Sequence, residues 1–328
     1  MTIHDVAAAA GVSSATASRV VNGVPTVDPE LARRVYEAIE ASGYVLNPTA
    51  RALRRSVTSS WRVIIPDLQN PFFIAVVSSL EEAAGRHGYS IVLSNSDERL
   101  DREREAIEAA VAERVAGVVL AVVSEIKSDI SPLTRAGIPV VLVDRRTKAF
   151  DGDAVFVDNR LTGVIAAQHL IQRGRRRLAC IAGRVDVTAT EDRLSGFRET
   201  LEAAGIGLPD EYVCRSDRRV ESGQESLQSL MSLPQPPDAL YVTNEPLTAG
   251  VFQAAQQLGI AIPEDLALVG TDDNAWMRMV RPQVTTVLQP AKRIGWLAGE
   301  MIAARASGGT VAGGLVTLMP TLEARESS

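Results

Sequence analysis

Apolar positions along the chain keep a helical period at first and then switch to short strand-like runs. Val6, Ala7 and Ala10 recur at helical spacing, as do Ala17, Val20 and Val21, and then Leu31, Val35, Ala38 and Ile39. This spacing predicts three short helices. Their starts and stops are also written in the chain. Thr2 and Asp5 stand at capping-box spacing, Gly11 ends the first helix, and Val12 plugs the turn. Ser13 caps the second helix, while Asp28 and Pro29 open a third that Gly43 closes. From Trp61 onward, apolar runs alternate with helical patterns: WRVIIP at 61–66, SIVLSN at 90–95, VAGVVLA at 115–121, PVVLVD at 139–144 and AVFVD at 154–158. A second series follows with RLACIAG at 177–183, the region of Tyr212 and Val213, ALYVTN at 239–244 and LALVGTD at 266–272. Both series approach a strand through a similar phrase, AGIPVVLVD and LGIAIPEDLALVGTD, which predicts two similar lobes of parallel α/β structure.

The second helix divides cleanly. Ala17, Val20 and Val21 fall on one face, and Ser14, Ala15, Ser18 and Arg19 on the other. Small residues let a helix backbone approach base edges in a major groove, and Arg19 is long enough to reach a guanine or a phosphate. A surface helical hairpin with a solvated arginine is the bland alternative. The stretch NPTARALRR shifts the balance. Asn47 and Pro48 open a short segment in which Arg51, Arg54 and Arg55 have no nearby acid and Leu53 has no core to join. Such a marginal basic helix suits a segment that orders on DNA.

A length of 328 residues implies two or three domains. The net charge of −6 argues against a broadly basic nucleic-acid binder, and residues 1–60 nearly balance Arg19, Arg33, Arg34, Arg51, Arg54 and Arg55 against Asp5, Asp28, Glu30, Glu37 and Glu40. Any DNA footprint is therefore local. Of the 34 basic residues only Lys127, Lys148 and Lys292 are lysines, so no single arginine carries weight by its type alone. The absence of a secretory leader or a long apolar run points to the cytoplasm. Cys180 and Cys214 show no framework spacing, and His4, His87 and His169 lack metal spacing and read as surface or capping residues. No cofactor is expected: no G-x-G-x-x-G follows a strand, which weighs against the main rival, a Rossmann-type sugar-handling enzyme. A periplasmic sugar-binding protein would share the body but lack the head.

Residues 2–55 closely resemble the head of the lactose repressor (LacI/GalR) family of bacterial regulators. The resemblance rests on Asp5-Val6-Ala7, Ala10-Gly11-Val12-Ser13, Thr16, Ser18-Arg19-Val20, Asn22-Gly23, Gly43-Tyr44 and Asn47-Pro48 through Ala50 and Leu53. It implies that Ser14, Ala15 and Arg19 read bases, that Thr16 and Asn22 anchor the DNA backbone, and that Leu53, with Ala50 beside it and Arg54 next in the basic segment, wedges into the minor groove. The resemblance continues through VVLVDRR, VDNR at 157–160, TNEPLTAG at 243–250 and VTTVLQP at 284–290. The implied fold is α/β: an all-α helix-turn-helix head (1–46), a hinge helix and linker (47–60), and a two-lobed periplasmic-binding-protein-like body (61–328). Lobe 1 is expected at about 61–157 and 287–314, lobe 2 at about 158–286 and 315–328.

Strand ends in such bodies are polar, here Asp67, Asn95, Asp144, Asp158, Asn244 and Asp272, and for most of them helix capping suffices as an explanation. The resemblance assigns Asp272, in Val269-Gly270-Thr271-Asp272-Asp273, and Arg193, in RLSGF, to a cleft effector, with Phe72 and Phe73 as pocket aromatics and Asn244 as the matching amide. Four departures stand out: Trp61-Arg62 for an apolar-glycine pair, Glu245-Pro246, Thr271 for an aromatic, and Arg218 for a stacking aromatic. Arg146, Arg193 and Arg218 together suit a carboxylate or phosphate as well as a sugar, and Trp276 is a candidate for the missing ring or for packing at a dimer face. The expected function is a repressor acting as a homodimer on a pseudopalindromic double-stranded operator and controlled by a sugar or sugar derivative. LEARESS, without leucine heptads, predicts dimers rather than tetramers.

Overall fold

The computed structural model describes residues 2–21, 26–43, 58–148, 150–185, 187–217, 219–308 and 314–328. The chain divides into two units, Met1–Ser56 and Val57–Ser328.

In the first unit, α1 (Ile3–Ala10) starts with the expected reciprocal cap: Thr2 Oγ1 accepts from the Asp5 N–H, and Asp5 accepts from the Thr2 N–H at 2.7 Å. Gly11 takes φ 62°, a left-handed turn that a Cβ would strain. Ser13 Oγ accepts from the Thr16 N–H at 3.1 Å at the start of α2 (Ser14–Val21). Asp28 caps α3 (Pro29–Ser42) through the Glu30 and Leu31 N–H groups. Val6, Ala7, Ala10, Ala17, Val20 and Val35 make the buried core of this unit.

The second unit begins with β1 (Ser60–Ile65), α4 (Pro71–Arg86), β2 (Ser90–Asn95), α5 (Leu100–Ala112), β3 (Gly117–Leu120), α6 (Ser131–Arg135), β4 (Val140–Val143) and β5 (Asp153–Val157). It continues through α7 (Asn159–Gln172), β6 (Leu178–Ala182), α8 (Thr188–Ala203), β7 (Val213–Arg215), α9 (Val220–Met231), β8 (Ala239–Val242), α10 (Glu245–Leu258), β9 (Ala267–Thr271), α11 (Ala275–Met279) and β10 (Thr285–Leu288). The final elements are α12 (Ala291–Ala306), β11 (Leu315–Leu318) and β12 (Thr321–Glu323).

Two six-stranded sheets result, ordered β11-β5-β4-β3-β1-β2 and β12-β10-β9-β8-β6-β7. All pairings are parallel except β10 with β12. Each lobe reverses its strand order at the same place, between β1 and β3 and between β6 and β8, and ligands in doubly wound folds settle at such reversals beyond the strand C-termini. The central strands are buried along their length, as near-continuous Val, Leu and Ile runs require when helices cover both faces.

The chain crosses between lobes at Asp158, at Gln289–Pro290 and at Met319–Pro320. The last two crossings correct the expected lobe limits. Val287 and Leu288 pair in the second sheet, and β11 pairs with β5 in the first, so 315–318 belongs to lobe 1. The displacement has a simple cause: β11 and β12 are short edge strands separated by two residues, and neither carries an apolar run.

Helices α7 and α8 meet at two glycines. A Cβ on Gly163 would lie 1.9 Å from the Arg193 carbonyl oxygen, and one on Gly196 2.0 Å from that of Arg160. Only glycine permits this approach, and the approach brings the start of α7 beside the middle of α8. Cys180 and Cys214 are free thiols, and burial pushes both up. No helix among the described residues is long and apolar enough to cross a membrane.

Candidate functional site

In the head, α2 leaves Ala15 and Arg19 exposed and Ser14, Thr16 and Ser18 half-buried, while Ala17 and Val20 face the core. Ser14 Oγ lies 2.9 Å from His4 Nδ1, so His4 serves the start of α2. Thr16 Oγ1 sits 2.9 Å from Ser13 Oγ. The predicted face is thus presented on a capped, packed helix. Asn22, Ala50, Leu53 and Arg54 lie outside the described residues, as does Arg218 in the body.

The body gathers its polar groups at the C-terminal ends of the strands. Arg193, on α8, is 6% exposed. Its Nε donates to Asn159 Oδ1 at 2.8 Å, a contact that the glycine crossing of α7 and α8 makes possible, and its Nη1 donates to the Thr243 carbonyl at 2.6 Å. The guanidinium is therefore oriented by neutral oxygens. Asp272 follows β9 with φ 69°, and its N–H bonds to the Val287 carbonyl at 3.0 Å. Gln289, in the second crossing, donates Nε2 to Asp272 Oδ1 at 2.8 Å. Burial pushes the Asp272 carboxyl up to about 6, with Arg193 and Gln289 pulling it down and Asp144 and Glu245 adding to the rise.

Asp144 is the counterpart at the end of β4, with φ 63° and its N–H directed to the Val155 carbonyl. Here the neighbours are charged. Arg145 lies 3.6 Å from Asp144 through Nε and makes a two-pronged contact with Glu98 at 2.6 and 2.9 Å. The Arg145 Nη1 also donates to the Val122 and Val123 carbonyls, at 3.2 and 3.3 Å. Arg146 is exposed on the same loop, with its guanidinium carbon 5.4 Å from the centre of the Phe156 ring. It acts electrostatically on Asp192 of α8, whose carboxyl is raised by burial and pulled back by Arg146 and Arg160.

Other expected members of the site have packing or capping partners of their own. Phe73 is fully buried in the first lobe's core, in edge contact with Phe72, which is buried in the same cluster, so both rings serve packing. The Trp276 indole N–H donates to Glu245 Oε1 at 2.5 Å, and its half-buried ring lies 5.8 Å from that of Phe252. Asn244 is buried next to Thr243, with its Oδ1 accepting from the Leu247 N–H as the cap of α10. Thr271 is buried too and donates to the Val242 carbonyl, so the replaced aromatic leaves no gap at that strand end. Trp61 and Arg62 lie at the start of β1, remote from the strand C-termini, where Arg62 pairs with Glu113 at 2.6 Å. His169, expected as a surface or capping residue, is buried and bonds Ser328 Oγ through Nε2. Sequence reading missed Asn159 and Gln289. The first is an ordinary helix-start residue and the second part of an unpatterned crossing, so only their position identifies them.

A head that presents one recognition helix, together with two doubly wound lobes and a charged cleft, defines a DNA-binding regulator with a ligand-sensing body. Residues 2–47 match the family described as bacterial regulatory proteins, lacI family, and residues 167–328 match the periplasmic binding protein-like domain. The chain is 32% identical over 329 residues to catabolite control protein A of Priestia megaterium, covering 100% of this chain and 99% of that one. It is equally 32% identical over 330 residues to the ribose operon repressor of Escherichia coli (strain K12), with the same coverage. Among solved structures, the transcriptional regulator CelR in complex with cellobiose superposes with a TM-score of 0.76 at 29% identity, covering 100% of both chains. The lac repressor dimer bound to operator and an anti-inducer shares the fold, with a TM-score of 0.88 at 23% identity over 100% of this chain and 98% of that one. The chain belongs to the lacI family of bacterial regulatory proteins. It is a DNA-binding transcriptional regulator, a family role that displaces the enzyme alternative.

Proposed function

We propose that the protein is a cytoplasmic repressor whose hold on a two-fold operator is set by a sugar or sugar acid bound between the lobes. The observation that carries this reading is the placing of Asp272, in contact with Gln289, within the electrostatic reach of Arg193. A buried guanidinium held by neutral oxygens, a carboxyl poised near neutrality and a crossing-strand amide supply directional donors and acceptors for hydroxyl groups. The Gln289 Oε1 is buried and has no hydrogen-bond partner among the described residues, which leaves an acceptor suited to a ligand hydroxyl. The names of the relatives, a ribose operon repressor and a cellobiose-bound regulator, point the same way. Homodimerisation is supported by Leu68 and Ile74, apolar residues exposed around the start of α4, and by the two-fold symmetry of pseudopalindromic operators. The exposed Arg146 extends the ligand class to sugar acids.

The test is a melting-temperature screen of sugars and sugar acids, beginning with ribose and cellobiose, followed by operator-protection assays with each compound that shifts the transition. Arg193→Met and Asp272→Asn should each abolish the compound's influence on DNA and leave compound-free operator affinity within about twofold. Retained control in both variants would place the effector elsewhere. In the head, Arg19→Ala should weaken specific binding by about 1–3 kcal/mol and relax preference at one base pair per half-site. Unchanged base preference in a binding-site selection removes Arg19 from the reading role.

A further inference from the structure

Helix α8 carries Arg193 and begins without a side-chain cap of its own. Val187 stands at the capping position, and although its carbonyl accepts from the Thr190 and Glu191 N–H groups, its side chain accepts nothing. The group that reaches this helix start comes from the opposite lobe: Thr188 Oγ1 donates to Glu125 Oε2, in the loop that follows β3. A carboxylate at a helix start is favoured by the helix dipole, so Glu125 of lobe 1 adds to Glu191, the acid that the first turn of α8 already carries. One turn further along α8, Asp192 is under the influence of Arg146, again from lobe 1. Positions four apart share a helix face, so Thr188, which makes the contact, and Asp192, which feels the Arg146 charge, lie on one stripe of α8. Two apolar side chains flank the first contact in sequence, Ile126 beside Glu125 and Val185 three residues before Thr188, and they are 83% and 66% exposed.

We propose that Glu125 and Thr188 form an interlobe latch that holds the cleft closed and steadies the start of α8. The latch lies outside the Arg193, Asp272 and Gln289 group, so it acts on the closing of the lobes independently of what the cleft binds. Glu125 is thereby a positioning residue for the helix that presents Arg193. Breaking the contact frays the first turn of α8 and lets the lobes part. Restoring a hydroxyl at position 188 restores both properties.

The experiment needs no effector. In full-length protein carrying Cys214→Ser, spin labels on Lys127→Cys in lobe 1 and Glu221→Cys in α9 report the interlobe distance, and amide hydrogen exchange reports residues 188–191. Thr188→Val and Glu125→Ala should each broaden the distance distribution toward longer values and speed exchange of that turn by about tenfold, the equivalent of one hydrogen bond to a charged group. The double variant should be no more open than either single one, and Thr188→Ser should match the parent. Amides of β6 serve as the control for global unfolding. Parent-like distances and exchange in both single variants, or fully additive effects in the double, overturn the latch. Because the measurement is made without ligand, failure here leaves the effector assignment standing, and loss of effector control with an intact latch does the reverse.

Discussion

The two lobes end corresponding strands in the same backbone device. Asp144 after β4 and Asp272 after β9 both take a left-handed φ, and both direct their N–H to the neighbouring strand, at Val155 and Val287. Their surroundings differ completely. Asp144 belongs to an ion network with Arg145 and Glu98, whereas Asp272 is half-buried with a Gln289 amide at 2.8 Å and, among the described residues, has no arginine in salt-bridge contact. Repetition of a fold thus fixes where a carboxyl stands but leaves its charge to the neighbours. In lobe 1 the charge is a structural brace. In lobe 2 it is left adjustable, as a ligand-responsive group needs.

The strongest way to break this contrast is to remove the brace. Arg145→Met strands the Glu98 carboxylate and the Val122 and Val123 carbonyls, and should cost about 3–5 kcal/mol in denaturant unfolding at neutral pH. A loss under 1 kcal/mol would mean that the network is incidental.

The adjustable carboxyl gives the next largest effect. Because the folded Asp272 sits at about 6, above its ordinary 3.8, the native state holds its proton more tightly than the unfolded chain does. Its contribution is full below the ordinary value and is lost as pH rises through about 6, a decline on the order of 2 kcal/mol for this half-buried group. Asp272→Asn should flatten that decline, making the variant more stable than the parent at pH 7 and equal to it near pH 4. Parallel pH profiles for the two proteins contradict the raised carboxyl.

Smallest is the matching change in lobe 1. Asp144→Asn removes one of two carboxylates near Arg145 while Glu98 keeps its two-pronged contact, so the expected loss is about 1 kcal/mol at pH 7, opposite in sign to the lobe 2 variant. The pair of substitutions, measured side by side by urea denaturation, sharpens the comparison most economically. Equal signs would show that the two strand ends are electrically alike after all.

Legibility in the sequence followed the range of the interactions. The caps at Thr2, Ser13 and Asp28 and the apolar runs that became β1 through β9 depend on residues a few positions apart, and pattern alone found them. β11 and β12 are four and three residues long, lie at sheet edges and mix threonine with leucine, so they carry too little pattern to announce themselves. Within the cleft, Arg193 and Asp272 were visible through resemblance, but their partners Asn159 and Gln289 come from 34 and 17 residues away and only the fold brings them in. The aromatic residues were open to two readings from the sequence: Phe73 is fully buried in the first lobe's core, and the Trp276 ring is half-buried with its N–H on Glu245.

The position of β11 and β12 on either side of Met319–Pro320 bears on how the body comes to be made. Each completes a different sheet, so residues 315–323 supply the last strand of both lobes at once, and neither lobe is a single contiguous segment. On the ribosome, neither sheet can close until this stretch has emerged, which makes completion of the two lobes a nearly simultaneous event rather than a succession. The lobes are two in architecture and one in biosynthesis.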